Sequence, residues 1–285
     1  MDITIIGVGL IGGSIALSLK EKGFANHIYG VDIKKDHSSL AKELGLVKEI
    51  YSLDNLPKSD LYIISVPVDS SIEILKTLLD KIPENAVVTD VGSTKELICE
   101  SVEDHPKRKC FVASHPIAGT EHSGPEAAIN NLFNGKTTII CDKEKSSNEA
   151  FELVKKMYEA LEMKVVYMDS KEHDLHVAYV SHLSHISSFA LGITVLNKEN
   201  DEENIFNLAG SGFESTVRLA KSSPHMWNPI FKQNSKYISE SLGDYIKCLQ
   251  MFKDSIDNDQ FDNIFYMMMY ANKIRKVLKD IKKIQ

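Results

Sequence analysis

Cysteine is scarce in this chain. Four occur in 285 residues, at Cys99, Cys110, Cys141 and Cys248, with no paired spacing. That excludes a disulfide framework and a cysteine zinc site, and it suits a reducing, cytoplasmic compartment. No apolar run reaches the roughly 18 residues that cross a bilayer. Met1-Asp2-Ile3-Thr4 also lacks the basic start of a secretion signal. Positive charge is not in excess: 33 Lys and Arg stand against 40 Asp and Glu, a formal net charge of −7. Nucleic acid and anionic membrane therefore meet no general attraction and are not the expected partners. Internal repeats, low-complexity tracts and Pro/Ser-rich linkers are missing as well. What is present is a balance of 43% hydrophobic and 26% charged residues, enough for one large globular domain or two average ones.

The first half alternates two periodicities. Short apolar runs at 3–6, 28–31, 61–66, 86–89, 111–113, 138–141 and 165–167 read as strands, separated by helical stretches such as 72–81 and 149–161. Buried strands alternating with helices predict an α/β fold, a Rossmann-type doubly wound parallel sheet. From about Ser170 the strand signal stops. Residues 172–196 contain no Pro and one Gly, and an acidic patch at 198–203 is expected to break that helix. Ile238, Leu242, Tyr245, Ile246, Leu249 and Phe252 form a later helical stripe, and Phe261, Ile264, Phe265 and Met268 another. Such stripes read as core or subunit interface. The expected domains are 1–169, nucleotide-binding, and 170–285, all-helical.

Gly7-Val8-Gly9-Leu10-Ile11-Gly12 matches Gly-x-Gly-x-x-Gly between a strand and a helix, and Asp32 closes the next strand. Gly7 permits the tight turn, Gly9 lets a pyrophosphate approach the backbone, and Gly12 lets helix and strand pack closely. The helix N-terminus, with Leu10 and Ile11, offers N–H groups and partial positive charge to the phosphates. Asp32 can accept from a ribose 2′-hydroxyl and would repel a 2′-phosphate, which favours NAD over NADP. Lys34 and Lys35 soften that preference.

Ligands in open α/β sheets bind beyond the carboxyl ends of the strands. Ser65-Val66-Pro67, Asp90-Val91-Gly92-Ser93 and Ser114-His115-Pro116 lie at three such ends. His115 is the imidazole placed to accept a proton near neutral pH, and Ser93 could orient that ring or a substrate hydroxyl. Ser181-His182-Leu183-Ser184-His185 lies on the long helix after His173 and His176. Spacing alone invites a metal, but no ligand set is completed and none is expected. Arg218 carries a planar fork suited to a carboxylate.

Taken in order, these motifs resemble the prephenate/arogenate dehydrogenases of tyrosine biosynthesis. They are the glycine loop, Asp90-Val91-Gly92-Ser93-Thr94-Lys95, His115-Pro116-Ile117-Ala118-Gly119-Thr120-Glu121, Ser181 to His185, Phe213 to Arg218, and Met226-Trp227. The resemblance covers nearly the whole chain. It implies NAD-dependent oxidative decarboxylation of prephenate to 4-hydroxyphenylpyruvate, or of arogenate. His115 would accept the proton from the ring 4-hydroxyl, supported by Ser93, and Arg218 would bind a substrate carboxylate. Ser181, His182, His185 and Thr120 would contribute polar contacts. Glu121 would pair with the arginine at the cleft mouth, and Trp227 would form pocket wall. It further implies a homodimer through the helical domain and no fused mutase or regulatory domain. Ser184, Ser215 and Val217 depart from the family's usual Pro, acidic residue and Thr. Two other readings are a different two-domain NAD(P) oxidoreductase, of the β-hydroxyacid dehydrogenase or imine reductase type, and an NAD-binding sensor without catalysis.

Overall fold

The computed structural model describes residues 1–120, 122–201 and 205–284. The chain divides into two compact units: Met1–His176 with Lys221–Gln233, and Val177–Ala220 with Asn234–Gln285.

The first unit is built on eight strands: β1 (Asp2–Ile6), β2 (His27–Val31), β3 (Glu49–Tyr51), β4 (Leu61–Ile64), β5 (Val87–Asp90), β6 (Phe111–Pro116), β7 (Thr137–Cys141) and β8 (Lys164–Met168). Their order in the sheet is β3-β2-β1-β4-β5-β6-β7-β8. Helices α1 (Leu10–Glu21), α2 (Lys35–Glu43), α3 (Val68–Lys81), α4 (Glu96–Glu100) and α5 (Asn148–Ala160) connect them, and α6 (Ser170–Val177) follows β8. Every neighbouring pair is parallel except β6 and β7, which run antiparallel. That departs from the expected all-parallel sheet. A parallel return needs a crossover element, and among the described residues of 117–136 the one helical element is the three-residue turn Pro125–Ala127.

Strand alternation divides the side chains between two cores. Ile3, Ile5, Leu61, Ile63, Val87 and Val112 share one with α1 and α5; Ile6, Tyr62, Ile64, Val88, Phe111 and Ala113 share the other with α3. Both faces are covered, as the doubly wound reading requires. Each fully buried aliphatic side chain contributes roughly 1.5–3 kcal/mol. Helix α1 ends where Gly23 takes φ +65°. There Gly23 N–H donates to Lys20 O at 3.2 Å and Phe24 N–H to Leu19 O at 3.0 Å, a Schellman stop.

The second unit is helical. A π-helical turn, Ala178–His182, leads into α7 (Leu183–Asp201), followed by α8 (Ser211–Val217). Helix α7 runs through Lys198 to Asp201, so the acidic patch does not break it there; residues 202–204 lie outside the described part. The chain returns to the first unit as α9 (Pro224–Gln233), then forms α10 (Ser235–Asp257), α11 (Phe261–Ala271) and α12 (Ile274–Ile284). Along α10 and α11, Ile246, Leu249, Phe265, Tyr266, Met268 and Met269 are 50–67% exposed. No described helix is long and apolar enough to cross a membrane.

Candidate active site

Strands β1, β2, β4, β5 and β6 are mutually parallel, so their carboxyl ends share one edge of the sheet. The glycine loop follows β1 there. Gly7 has φ +93°, and a Cβ on it would stand 2.1 Å from Ser65 O. A Cβ on Gly12 would stand 2.1 Å from Gly7 O. Both glycines are therefore demanded by the chain's own packing. Gly9 is different: its Cβ would meet nothing nearer than Gly124 N at 4.0 Å. The bare backbone at Gly9 has no internal steric cause and fits close approach by a phosphate group.

Helix α1 begins beside it with no side-chain cap and no acidic residue in its first turn. Its leading N–H groups suit an anion. Asp32 accepts from Val8 N at 3.1 Å and Lys34 N at 2.9 Å, which ties its carboxylate to the glycine loop. Each oxygen keeps a further lone pair for a ribose hydroxyl. These residues fit a dinucleotide. The neighbouring Ile33 is 97% exposed, and sequence reading passed over it because an apolar residue after a strand reads as core. Ser65 and Val66 are half-buried and Pro67 exposed, at the end of β4.

Asp90 requires a correction. Its expected place was among the cofactor contacts, but its carboxylate is turned inward and 1% exposed. It pairs with the wholly buried Lys95 and accepts from Gly92 N at 3.0 Å and Ser114 N at 3.2 Å. Lys95 also donates to Ser114 O at 2.9 Å. Asp90 thus braces the ends of β5 and β6 against each other. Burial pushes the Tyr158 hydroxyl and the Cys141 thiol up, so both stay protonated and neither serves as a nucleophile.

His115 is half-buried near the end of β6. Its Nδ1 is hydrogen-bonded to His173 Nε2 at 2.8 Å, and His173 Nδ1 to Asp174 Oδ1 at 2.7 Å. Asp174 accepts from Lys95 N at 2.8 Å and Glu96 N at 2.9 Å, capping α4 from 78 to 79 residues away. His173 stands edge-on to the His115 ring, centroids 5.1 Å apart; Ser93, expected to orient that ring or a substrate hydroxyl, is half-buried two residues before Lys95. His173 was visible only as one of several histidines on a helix.

Thr120 is half-buried, and its hydroxyl accepts from His122 N at 3.2 Å. Glu121 lies outside the described residues. Trp227 is 7% exposed and packs with Val68, Ile230 and Phe231. In the second unit, His182 is buried, and its Nδ1 accepts from Asn234 Nδ2 at 3.0 Å, leaving its ring proton on Nε2. His185 Nδ1 donates to the carbonyl of half-buried Ser181 at 3.0 Å. Burial lowers the pKa of His185, and the nearby Arg218 guanidinium lowers it further against the hydrogen bond to Ser181. Arg218 is exposed at the end of α8.

Residues 15–167 match the family described as "Prephenate dehydrogenase, nucleotide-binding domain", and residues 169–270 match "Prephenate dehydrogenase, dimerization domain". The glycine loop precedes the matched span, so its assignment rests on geometry. Prephenate dehydrogenase of Bacillus subtilis (strain 168) is 30% identical over 277 residues, 96% of this chain and 75% of that protein. The crystal structure of prephenate dehydrogenase from A. aeolicus in complex with hydroxyphenyl propionate and NAD+ is 35% identical, with a TM-score of 0.91 over 97% of this chain and 98% of that one. Synechocystis arogenate dehydrogenase is 28% identical, with a TM-score of 0.80 over 97% and 99% of the two chains.

Proposed function

Because the chain belongs to the prephenate dehydrogenase family, we propose that it carries out NAD-dependent oxidative decarboxylation of prephenate to 4-hydroxyphenylpyruvate. The observation that carries this reading is His115, set on the sheet edge that holds the dinucleotide cradle and engaged at Nδ1 by a second imidazole. Prephenate is favoured over arogenate because two prephenate dehydrogenases reach 30 and 35% identity, against 28% for the Synechocystis arogenate dehydrogenase.

Bound NAD⁺ supplies the hydride acceptor for C4 of the ring. His115 takes the proton of the 4-hydroxyl and holds it as an imidazolium. The C1–carboxylate bond then breaks, its electron pair enters the ring, and the phenolic oxygen recovers the proton. The proton is thus borrowed and returned at one oxygen, which suits a base whose protonated form is stabilised within the site. Aromatisation drives the decarboxylation, so the protein's task is orientation and proton custody.

In this reading Arg218 anchors a substrate carboxylate, with Ser181, His182 and His185 on the same helical unit and Thr120, Glu121 and Ser93 from the other. Trp227 supports α3 beside the cradle, and Ile33 offers apolar surface to the adenine. Residues 1–169 then hold the nucleotide, and 170–285 hold substrate and form a homodimer through the exposed faces of α10 and α11. The four free thiols support a cytoplasmic setting.

The test is reduced-cofactor formation with prephenate or arogenate crossed against NAD⁺ or NADP⁺, repeated for His115→Asn. Prephenate with NAD⁺ is the expected productive pair. His115→Asn should lower kcat by about 10²–10⁴-fold while still binding NAD⁺. Near-normal turnover in that variant would remove His115 from the mechanism.

A further inference from the structure

The contacts of His115, read with His173 as a neutral imidazole, point to one of its nitrogens as the base. Asp174 sits at the closed end of a chain of three side chains. A carboxylate can only accept, and it accepts here from two backbone N–H groups, Lys95 N at 2.8 Å and Glu96 N at 2.9 Å. The hydrogen bond at 2.7 Å to His173 Nδ1 must therefore be donated by His173. A neutral His173 that carries its proton on Nδ1 presents a lone pair on Nε2. Across the 2.8 Å contact, His115 Nδ1 is then the donor. Neutral His115 carries its proton on Nδ1 and its lone pair on Nε2.

We propose that His173 and Asp174 are positioning residues that lock His115 into the tautomer able to take the substrate proton at Nε2, and that brace the imidazolium so formed. This rests on His115 being the base. The arrangement extends the logic of a histidine oriented by a carboxylate, with a second imidazole spliced between them. Burial gives the chain its stiffness: His173 is 0% and Asp174 1% exposed. The two come from one turn of α6, held by His173 N–H donating to Asp169 O at 2.9 Å. A protonated His115 hands no proton onward; it keeps both, and the lone pair of His173 and the charge of Asp174 face the new cation in series. Charged groups near this chain include the paired Asp90 and Lys95 on the β5–α4 turn, and Asp90, Lys95, Asp142 and Asp174 all act on the buried Cys141 thiol.

Asp174 also caps α4, so its replacement mixes two effects. His173 is the cleaner handle, because His173→Phe keeps a ring in the space and leaves both backbone bonds of Asp174 intact. His173→Gln restores an acceptor through its amide oxygen. The experiment combines ¹⁵N spectra of histidine-labelled holoenzyme, assigned with His115→Asn, and steady-state kinetics over pH. We expect wild-type His115 to be protonated on Nδ1 and not on Nε2. His173→Phe should lower kcat by about 10–100-fold, the usual effect of losing such an outer partner. It should leave the KM for prephenate and the Kd for NAD⁺ unchanged, and shift the acid limb of the kcat profile. His173→Gln should recover most of the rate.

A wild-type His115 protonated on Nε2, or a His173→Phe enzyme with unaltered kcat and pH profile, would overturn the proposal. If His173→Phe does not fold, the wild-type spectrum decides by itself. Turnover surviving in His115→Asn would instead sink the base on which the proposal rests, and the spectrum would still report the order of the hydrogen bonds.

Discussion

Alanine at Gly9 and alanine at Gly12 should do different things, although only two residues separate them. A Cβ on Gly12 would lie 2.1 Å from Gly7 O and 2.9 Å from Ile5 Cγ2. Gly7 cannot retreat: its N–H donates to Val31 O at 2.7 Å, and Ser65 O closes its other side. Overpacking of this kind costs about 1–3 kcal/mol. Alanine recovers roughly 0.5–1 kcal/mol over glycine inside a helix, so the net loss for Gly12→Ala is about 1–2 kcal/mol. At Gly9 the φ of −77° and ψ of −156° suit alanine, and the nearest atom is 4.0 Å away. A poorer N-cap and a stiffer unfolded chain offset each other, leaving about 0.5 kcal/mol or less either way. Trp227 is the only tryptophan and packs in the first unit, so its emission reports that unit during urea unfolding. The expected outcome is an unmoved midpoint for Gly9→Ala and a lowered one for Gly12→Ala, with NAD⁺ binding weakened at least about tenfold in both, or about 1.4 kcal/mol. Wild-type NAD⁺ affinity in Gly9→Ala would refute the phosphate seat, and a lowered midpoint would refute the steric reasoning.

Asp90→Asn should destabilise the first unit by about 3–5 kcal/mol, because it strands the buried Lys95 ammonium. In the same urea titration, breaking the exposed Lys76–Glu73 pair should move the midpoint little. His185 has a pKa below its ordinary 6.5. Its contribution to stability is therefore complete above that value and is lost as pH falls from there toward the folded pKa. His185→Gln should flatten this acid-side decline in thermal melts between neutral and acidic pH; an unchanged decline would place the titration elsewhere. Phe265→Lys, on the exposed face of α11, should shift light scattering from dimer toward monomer while leaving helix content intact.

The parts of this protein legible in its sequence are those fixed locally. Gly7, Gly12 and Asp32 announce themselves because a tight turn, a close helix–strand contact and a strand-end carboxylate each need one residue type within a short span. The two faces of the sheet were likewise readable from apolar runs. Strand β3 was missed because three residues, Glu49–Tyr51, are too few to show a period. The reversal of β7 was missed as well, although the helix-poor stretch before Thr137 carries its signal. Asp90 misled because a carboxylate at a strand end looks like a ligand contact, and only Lys95 folding back over it shows otherwise. The partnership of His115 with His173 spans 58 residues and exists only once α6 packs beside β6. An adjacent His-Asp pair just after the last strand is the one clue that pointed to it.

The backbone passes between the two units three times, after His176, after Ala220 and after Gln233. The nucleotide-binding part is therefore not a cassette. A fragment ended at residue 176 would lack Gln233, whose amide accepts from Thr94 Oγ1 at 2.6 Å and donates to Val68 O at 2.6 Å. It would also lack Trp227 and Ile230, and so lay bare Val68 at the start of α3. Anyone building chimeras among relatives has three seams to match, with residues 221–233 travelling alongside the sheet they complete.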